Sequence, residues 1–182
     1  MREGMKALLA LGICSAVALG APVEEVEPND TLATAQFIAE EFYPFGAVAI
    51  SGSMIPEEPN FPEFDVDVFS FDVEAGDIVV VSVFSLDPLG DPVLGVYDPN
   101  GNMFALEDDS FGLNPLWGGV LPVSGNWKFV VGGDDQDVFG SHDESFDYLL
   151  TFKIPEPTVA ALVVIGLLGL MRPHRRRVFG SD

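Results

Sequence analysis

The alternation of Phe146, Tyr148, Leu150, Phe152 and Ile154 with Asp147, Leu149, Thr151 and Lys153 constrains the chain more than any other feature. A period of two puts five large apolar side chains on one side of a strand, and a helix cannot gather them. The same period recurs in Phe69, Phe71 and Val73 against Ser70 and Asp72, and in Trp127, Phe129 and Val131 against Lys128. Ile78–Leu86 is a nearly unbroken β-branched and apolar run, which reads as a strand covered on both faces. Turn chemistry separates these runs at Glu74-Ala75-Gly76-Asp77, Asp98-Pro99-Asn100-Gly101 and Ser124-Gly125-Asn126. Thr31–Ala39 is left as a short turn of helix with Asp30 as its cap. The expected fold of residues 21–154 is therefore all-β, an antiparallel β-sandwich of jelly-roll type.

The two ends read differently. Arg2 and Lys6 precede the apolar run Ala7–Leu19, and Ala18-Leu19-Gly20 supplies small residues for cleavage. That order is a secretory signal, so residues 1–20 are expected to form a signal helix removed by signal peptidase. At about 1.5 Å per residue the run is too short for a ~30 Å hydrocarbon core. Cys14, the only cysteine, follows Ile13, where a lipidation motif needs Gly or Ala, and it leaves the mature part without thiol chemistry. At the other end, Pro155-Glu156-Pro157 precedes the uncharged run 158–171, and Arg172, Arg175, Arg176 and Arg177 follow it. The prolines stop the preceding strand, the apolar run suits transient membrane insertion as a helix, and the arginines stay on the cytoplasmic side. Either a sorting signal or a plain C-terminal anchor puts residues 21–154 outside the cytoplasmic membrane.

Net charge is −21 over 182 residues, and within 21–154 only Lys128 and Lys153 stand against 26 Asp and Glu. Such a surface repels nucleic acid and anionic lipid and attracts divalent cations or basic partners. The mature part has one histidine, His142, before the tail, and no cysteine. Ser141-His142-Asp143 holds triad residue types, but sequence neighbours do not form that geometry. Zinc-protease, phosphate-loop and dinucleotide signatures are missing. No particular pair of acids points to glycosidase chemistry, so an enzyme is not expected.

The tail residues Pro155, Glu156, Pro157, the apolar run and Arg175, Arg176, Arg177 resemble the PEP-CTERM sorting signal of Gram-negative bacteria. The resemblance implies processing by an exosortase at the Pro-Glu-Pro motif, and a cell-surface or extracellular-matrix destination associated with exopolysaccharide. The extra Val178–Asp182 after the arginines departs from that pattern. Within the middle, Glu25-Val26-Glu27-Pro28-Asn29-Asp30, Ile50-Ser51-Gly52, Asp65-Val66-Asp67-Val68-Phe69-Ser70-Phe71 and Ala75-Gly76 come in order. Asp91-Pro92-Val93-Leu94, Tyr97-Asp98-Pro99-Asn100-Gly101, Asp108-Asp109, Ser124-Gly125-Asn126-Trp127 and Tyr148-Leu149-Leu150 follow. This ordered set, over about residues 25–154, resembles the bacterial pre-peptidase C-terminal domain, an accessory β-sandwich found beside secreted proteases. Asp147, where that family usually has Gly, and the long Asp134–Ser145 loop depart from it.

Calcium takes six to eight hard oxygen ligands, several of them carboxylates. Glu25, Glu27, Asn29 and Asp30 offer four candidate ligands within six residues, and Asp65 and Asp67 share one face at the start of a strand. The resemblance implies that the two groups meet around calcium and pin the lead-in to the sandwich. The competing reading is a set of solvated carboxylates. Asp134-Asp135-Gln136-Asp137 with Asp143 lacks the spacing of a calcium-binding loop and reads as an acidic loop; Asp108-Asp109 reads as a turn or a supplementary ligand. Trp117 is expected in the core, from its apolar flanks Leu116, Val120 and Leu121. Phe42, Tyr43, Phe45 and Phe61 either cover a sheet edge or bind a ligand. A carbohydrate-binding or adhesion module and a partner or inhibitor of a secreted protease remain the alternatives.

Overall fold

A computed structural model describes residues 21–43, 46–55, 65–133, 138–139 and 145–154. The expected signal helix, the tail with its Pro-Glu-Pro motif and arginines, Phe45, Phe61, His142 and most of the Asp134–Ser145 loop lie outside the described residues. Ten strands form: β1 Val23–Glu24, β2 Gln36–Phe37, β3 Ala47–Met54, β4 Asp67–Val73 and β5 Ile78–Ser85, then β6 Pro92–Tyr97, β7 Met103–Glu107, β8 Leu116–Val120, β9 Gly125–Gly133 and β10 Phe146–Lys153. They build two five-stranded sheets, β1-β3-β10-β5-β8 and β2-β4-β9-β6-β7. Among the described residues no helix is long and apolar enough to cross a membrane.

The alternating runs become the inner faces. Phe71 and Phe152 stack across the sandwich at 3.8 Å, and Phe129 packs edge-on against both. Trp127, Phe69, Tyr148 and Leu150 are fully buried around them. Trp117 is buried as expected, and Phe104 of β7 packs edge-on against both it and Trp127. Tyr43 also joins the core, edge-on to Phe152, whereas Phe42 stays half-exposed. Among the described residues, both buried clusters and all strand partners lie between Val23 and Ile154, which gives this stretch a core of its own. The turns form where the glycines allow positive φ, at Gly76 (97°) and Gly101 (81°). Asp98 reinforces the second by accepting from the Asn102 side-chain amide and from the N–H groups of Asn102 and Asn100, which holds its carboxyl below the usual range.

Three expectations need correction. The sheets are mixed: β1 runs parallel to β3 and β2 parallel to β4, the remaining pairs being antiparallel. The lead-in reaches these edges by crossing between the sheets, and no hairpin sets its direction. Thr31–Ala39 is not a helical turn. Thr34 N–H closes a turn on the Thr31 carbonyl at 3.0 Å, β2 follows, and the helical turn is a single 3-10 turn at Glu40–Phe42. Finally, β5 is covered on one face only. Val79, Val81 and Val83 are buried, while Ile78 and Phe84 are 53% and 44% exposed.

A second, smaller core lies on the opposite surface of the other sheet. Val66, Val68, Val93, Tyr97, Val130 and Val138 are buried there beneath Leu32, Ala35 and Phe139. The Thr31 turn is therefore a lid on β4, and it fixes the direction in which the preceding acidic residues leave.

Candidate functional site

The lead-in bridges the two sheets along one edge. Glu25 N–H donates to the Ser51 carbonyl at 2.9 Å in the first sheet, and Val68 N–H donates to the Asn29 carbonyl at 3.1 Å in the second. Gln36 ties the span from outside, accepting from Val26 N–H and donating to the Glu24 carbonyl. Residues 25–30 are thereby held over the start of β4, where Asp67 takes an inward position in register with Phe69 and Phe71.

All six acidic and amide residues singled out from the sequence come together here. One oxygen each from Glu25, Glu27 and Asp67 falls within 4.8 Å of the others, and the same holds for Glu27, Asp30 and Asp65. Glu27 belongs to both groups, so the carboxylates form two adjoining triads. Asp67 and Asn29 are completely buried. The end of the Asn29 amide that faces inward lies 3.1 Å from Glu27 Oε2 and from Asp67 Oδ1. As nitrogen it donates to both; as oxygen it adds a third acceptor, which either a cation or protons on the facing carboxyls reconcile. Glu25 Oε2 accepts from Ser53 N–H at 2.9 Å, yet Glu25 Oε1 is enclosed without a hydrogen-bond partner among the described residues. Asp65 accepts from Ile55 N–H, and Glu27 Oε2 from Asn29 N–H at 2.9 Å.

Crowded, buried carboxyls hold protons. Burial, then the hydrogen-bonding carboxyl and charge of Glu25, push Asp67 up to about 10, although the Tyr148 hydroxyl opposes this. Glu27 is exposed as a residue, and partial desolvation of its carboxyl, with the neighbouring Glu25 and Asp30, lifts it less far, to about 7. The site thus demands positive charge, which protons supply in the absence of a metal. Its donors are all hard oxygens, the set that suits Ca2+ and not a soft or imidazole-seeking metal.

Two residues of the site were missed in the sequence. Tyr148 of β10 donates its hydroxyl to Asp67 Oδ2 at 2.5 Å, a bond spanning the two sheets. Its register partner in β3 is Gly52. A Cβ there would collide with the Tyr148 hydroxyl and lie 2.7 Å from Glu25 Oε2, so the glycine makes room for both. The signal was a glycine at an inward position of β3, beside Ile50 and Met54. Beyond the carboxylates, a cavity of about 370 Å³ opens between Glu24, Ser51, Ser53, Leu86 and Asp147. A separate triad, the half-buried Asp91 with the exposed Asp108 and Asp109, also brings oxygens within 4.8 Å of one another.

No protein-family model matches the chain. A probable subtilase-type serine protease of Deinococcus radiodurans is 30% identical over 151 residues, which cover 73% of this chain and 19% of the protease. The chain therefore spans about a fifth of that relative's length. Among solved structures, the periplasmic inhibitor of g-type lysozyme from Aeromonas hydrophila matches 74% of this chain and 99% of its own, at TM-score 0.49 and 16% identity. The pre-peptidase C-terminal domain of the Bacillus anthracis collagenase matches 65% and 94%, at TM-score 0.47 and 18% identity.

Proposed function

We propose that the chain is an exported, non-enzymatic module of pre-peptidase C-terminal type whose lead-in is clamped to the sandwich by calcium. One observation carries this reading: six oxygen-bearing side chains from two separate segments converge around buried Asp67 and Asn29. A solvated acidic surface does not need a buried carboxyl or an amide aimed at two carboxylates. Glu25, Glu27 and Asp67 would hold one ion and Glu27, Asp30 and Asp65 a second, with Asn29 Oδ1 turned towards the first. Bound calcium supplies charge neutralisation and a crosslink between the two sheets.

Export is supported by the signal pattern of residues 1–20 and by the Pro155–Arg177 pattern, with exosortase processing and surface or matrix delivery as the route. Protein from the native envelope, weighed by mass spectrometry, is expected to lack Arg175, Arg176 and Arg177; a mature form that keeps them contradicts the sorting account. Calorimetric titration of residues 21–154 tests the metal. Calcium is expected to bind at one or two ions per chain, and Glu27→Gln or Asp67→Asn to weaken the tightest site at least tenfold. Absence of binding at millimolar calcium contradicts the proposal.

The match to a fifth of a subtilase-type protease favours one further reading, that such a module works beside a secreted protease. Co-purification of the domain with subtilase-type proteases from the same secretions is the check.

A further inference from the structure

The strand β8, Leu116-Trp117-Gly118-Gly119-Val120, ends the first sheet and pairs only with β5 among the described residues. Its hydrogen bonds to β5 use alternate residues: Leu121 N–H donates to the Asp77 carbonyl, and the Pro115 carbonyl accepts from Val83 N–H. By the same alternation Leu116, Gly118 and Val120 turn their backbone groups to the open side. Proteins usually shield such an edge with charge, proline or a bulge. Between the flanking Pro115 and Pro122, β8 itself has none of these: the register with β5 is continuous, and residues 110–127 hold no charged side chain. The outer face beside it is equally bare. Ile78, Phe84, Leu116 and Val120 are each 44% to 58% exposed, and β5 carries no charge.

Charge decides what can cover this edge. Partners drawn by electrostatics would go to the carboxylates found elsewhere on the domain. A second copy, carrying the same excess of acid, can approach closely only where acid is missing, and the edge is such a place. The strand also complements itself. An antiparallel pair centred on Gly118 sets Gly118 against Gly118, Leu116 against Val120, and Trp117 against Gly119. The apolar residues then meet on the outer face, and the large tryptophan meets a small residue on the inner one.

We propose that two copies join edge to edge through β8, antiparallel about a two-fold axis at Gly118, making one continuous ten-stranded sheet. The six outward backbone groups of each strand pair with those of the other. The five-residue strand is short against the ~800 Å² per partner of a stable complex, so the dimer forms in the micromolar range. The proposal does not depend on the calcium site.

Sedimentation equilibrium of residues 21–154 tests it. A monomer–dimer equilibrium is expected, and it should tighten as salt rises from about 0.01 to 0.15 M, because the screening length falls from about 30 to 8 Å. Leu116→Glu with Val120→Glu opposes like charges at both ends and is expected to weaken the dimer at least tenfold. Leu116→Glu with Val120→Lys sets opposite charges face to face and is expected to recover it. A cysteine introduced by Gly118→Cys has room, its nearest neighbour lying at 3.7 Å, and is expected to crosslink two copies on oxidation, whereas Val123→Cys is not. Unchanged melting temperatures in these variants show that folding is intact. A protein that stays monomeric at several hundred micromolar and 0.15 M salt overturns the proposal. So does equal behaviour of the two double variants, which would put the contact elsewhere.

Discussion

Tyr148 connects the chemistry of the site to the packing of the sandwich. Its ring fills the core and its hydroxyl meets Asp67 from the opposite sheet, so Tyr148→Phe removes a buried donor without changing shape. That change is expected to cost about 1–3 kcal/mol in chemical denaturation. Gly52→Ala is expected to cost a similar ~1–3 kcal/mol by overpacking, because Tyr148 and Glu25 leave its Cβ no space. The raised carboxyls set a pH dependence. Asp67 and Glu27 hold protons more tightly folded than unfolded, where both titrate near 4. Their contribution is complete below about pH 4 and is lost as pH rises towards about 7 for Glu27 and about 10 for Asp67. In chelator, the melting temperature should fall from pH 5 to pH 9. Saturating calcium should flatten that fall, since the ion replaces the protons and binds more tightly as they leave. A melting temperature that rises with pH in chelator would contradict these protonation states. The acidic residues were legible in the sequence because hard ligands cluster visibly. Tyr148 and Gly52 were not, since each looks like ordinary strand content until the register sets them side by side.

At the scale of elements, the alternating runs found the inner faces of β4, β9 and β10, because a period of two records which side is buried. It could not record what lies on the other side. The same apolar density in β4 and β5 has different causes: β4 is covered outside by the Thr31 turn and the Val138 segment, and β5 is bare among the described residues. Nor could it distinguish the short parallel strands β1 and β2, whose two residues each show no period at all. Yet these strands hold the lead-in. A chain beginning at Thr31 loses β1 and four of the six oxygen donors; it is expected to melt lower and to ignore calcium. A truncated chain that still gained stability from calcium would place the ion elsewhere. In the core, Phe152→Ala removes the partner stacked on Phe71 at 3.8 Å and is expected to cost about 3–5 kcal/mol in denaturant unfolding.

For the whole molecule, acidity and stability are one problem. Twenty-six acids against two lysines in residues 21–154 leave folding opposed by self-repulsion, and the densest carboxylates sit where the lead-in must bind both sheets. The proposed calcium would answer both needs, and it is available outside a cell membrane, where the two terminal patterns are expected to direct the chain. The deciding measurement is the melting temperature of residues 21–154 in millimolar calcium and in excess chelator, alone and with Glu27→Gln or Asp67→Asn. A ligand bound only to the folded state at a hundred times its dissociation constant adds about 2.7 kcal/mol, or about 5–20 °C for a domain of this size. The account predicts such a rise in the unaltered domain and its loss in both variants. Equal melting temperatures with and without calcium would contradict it, leaving a sandwich whose gathered carboxyls are held together by protons alone.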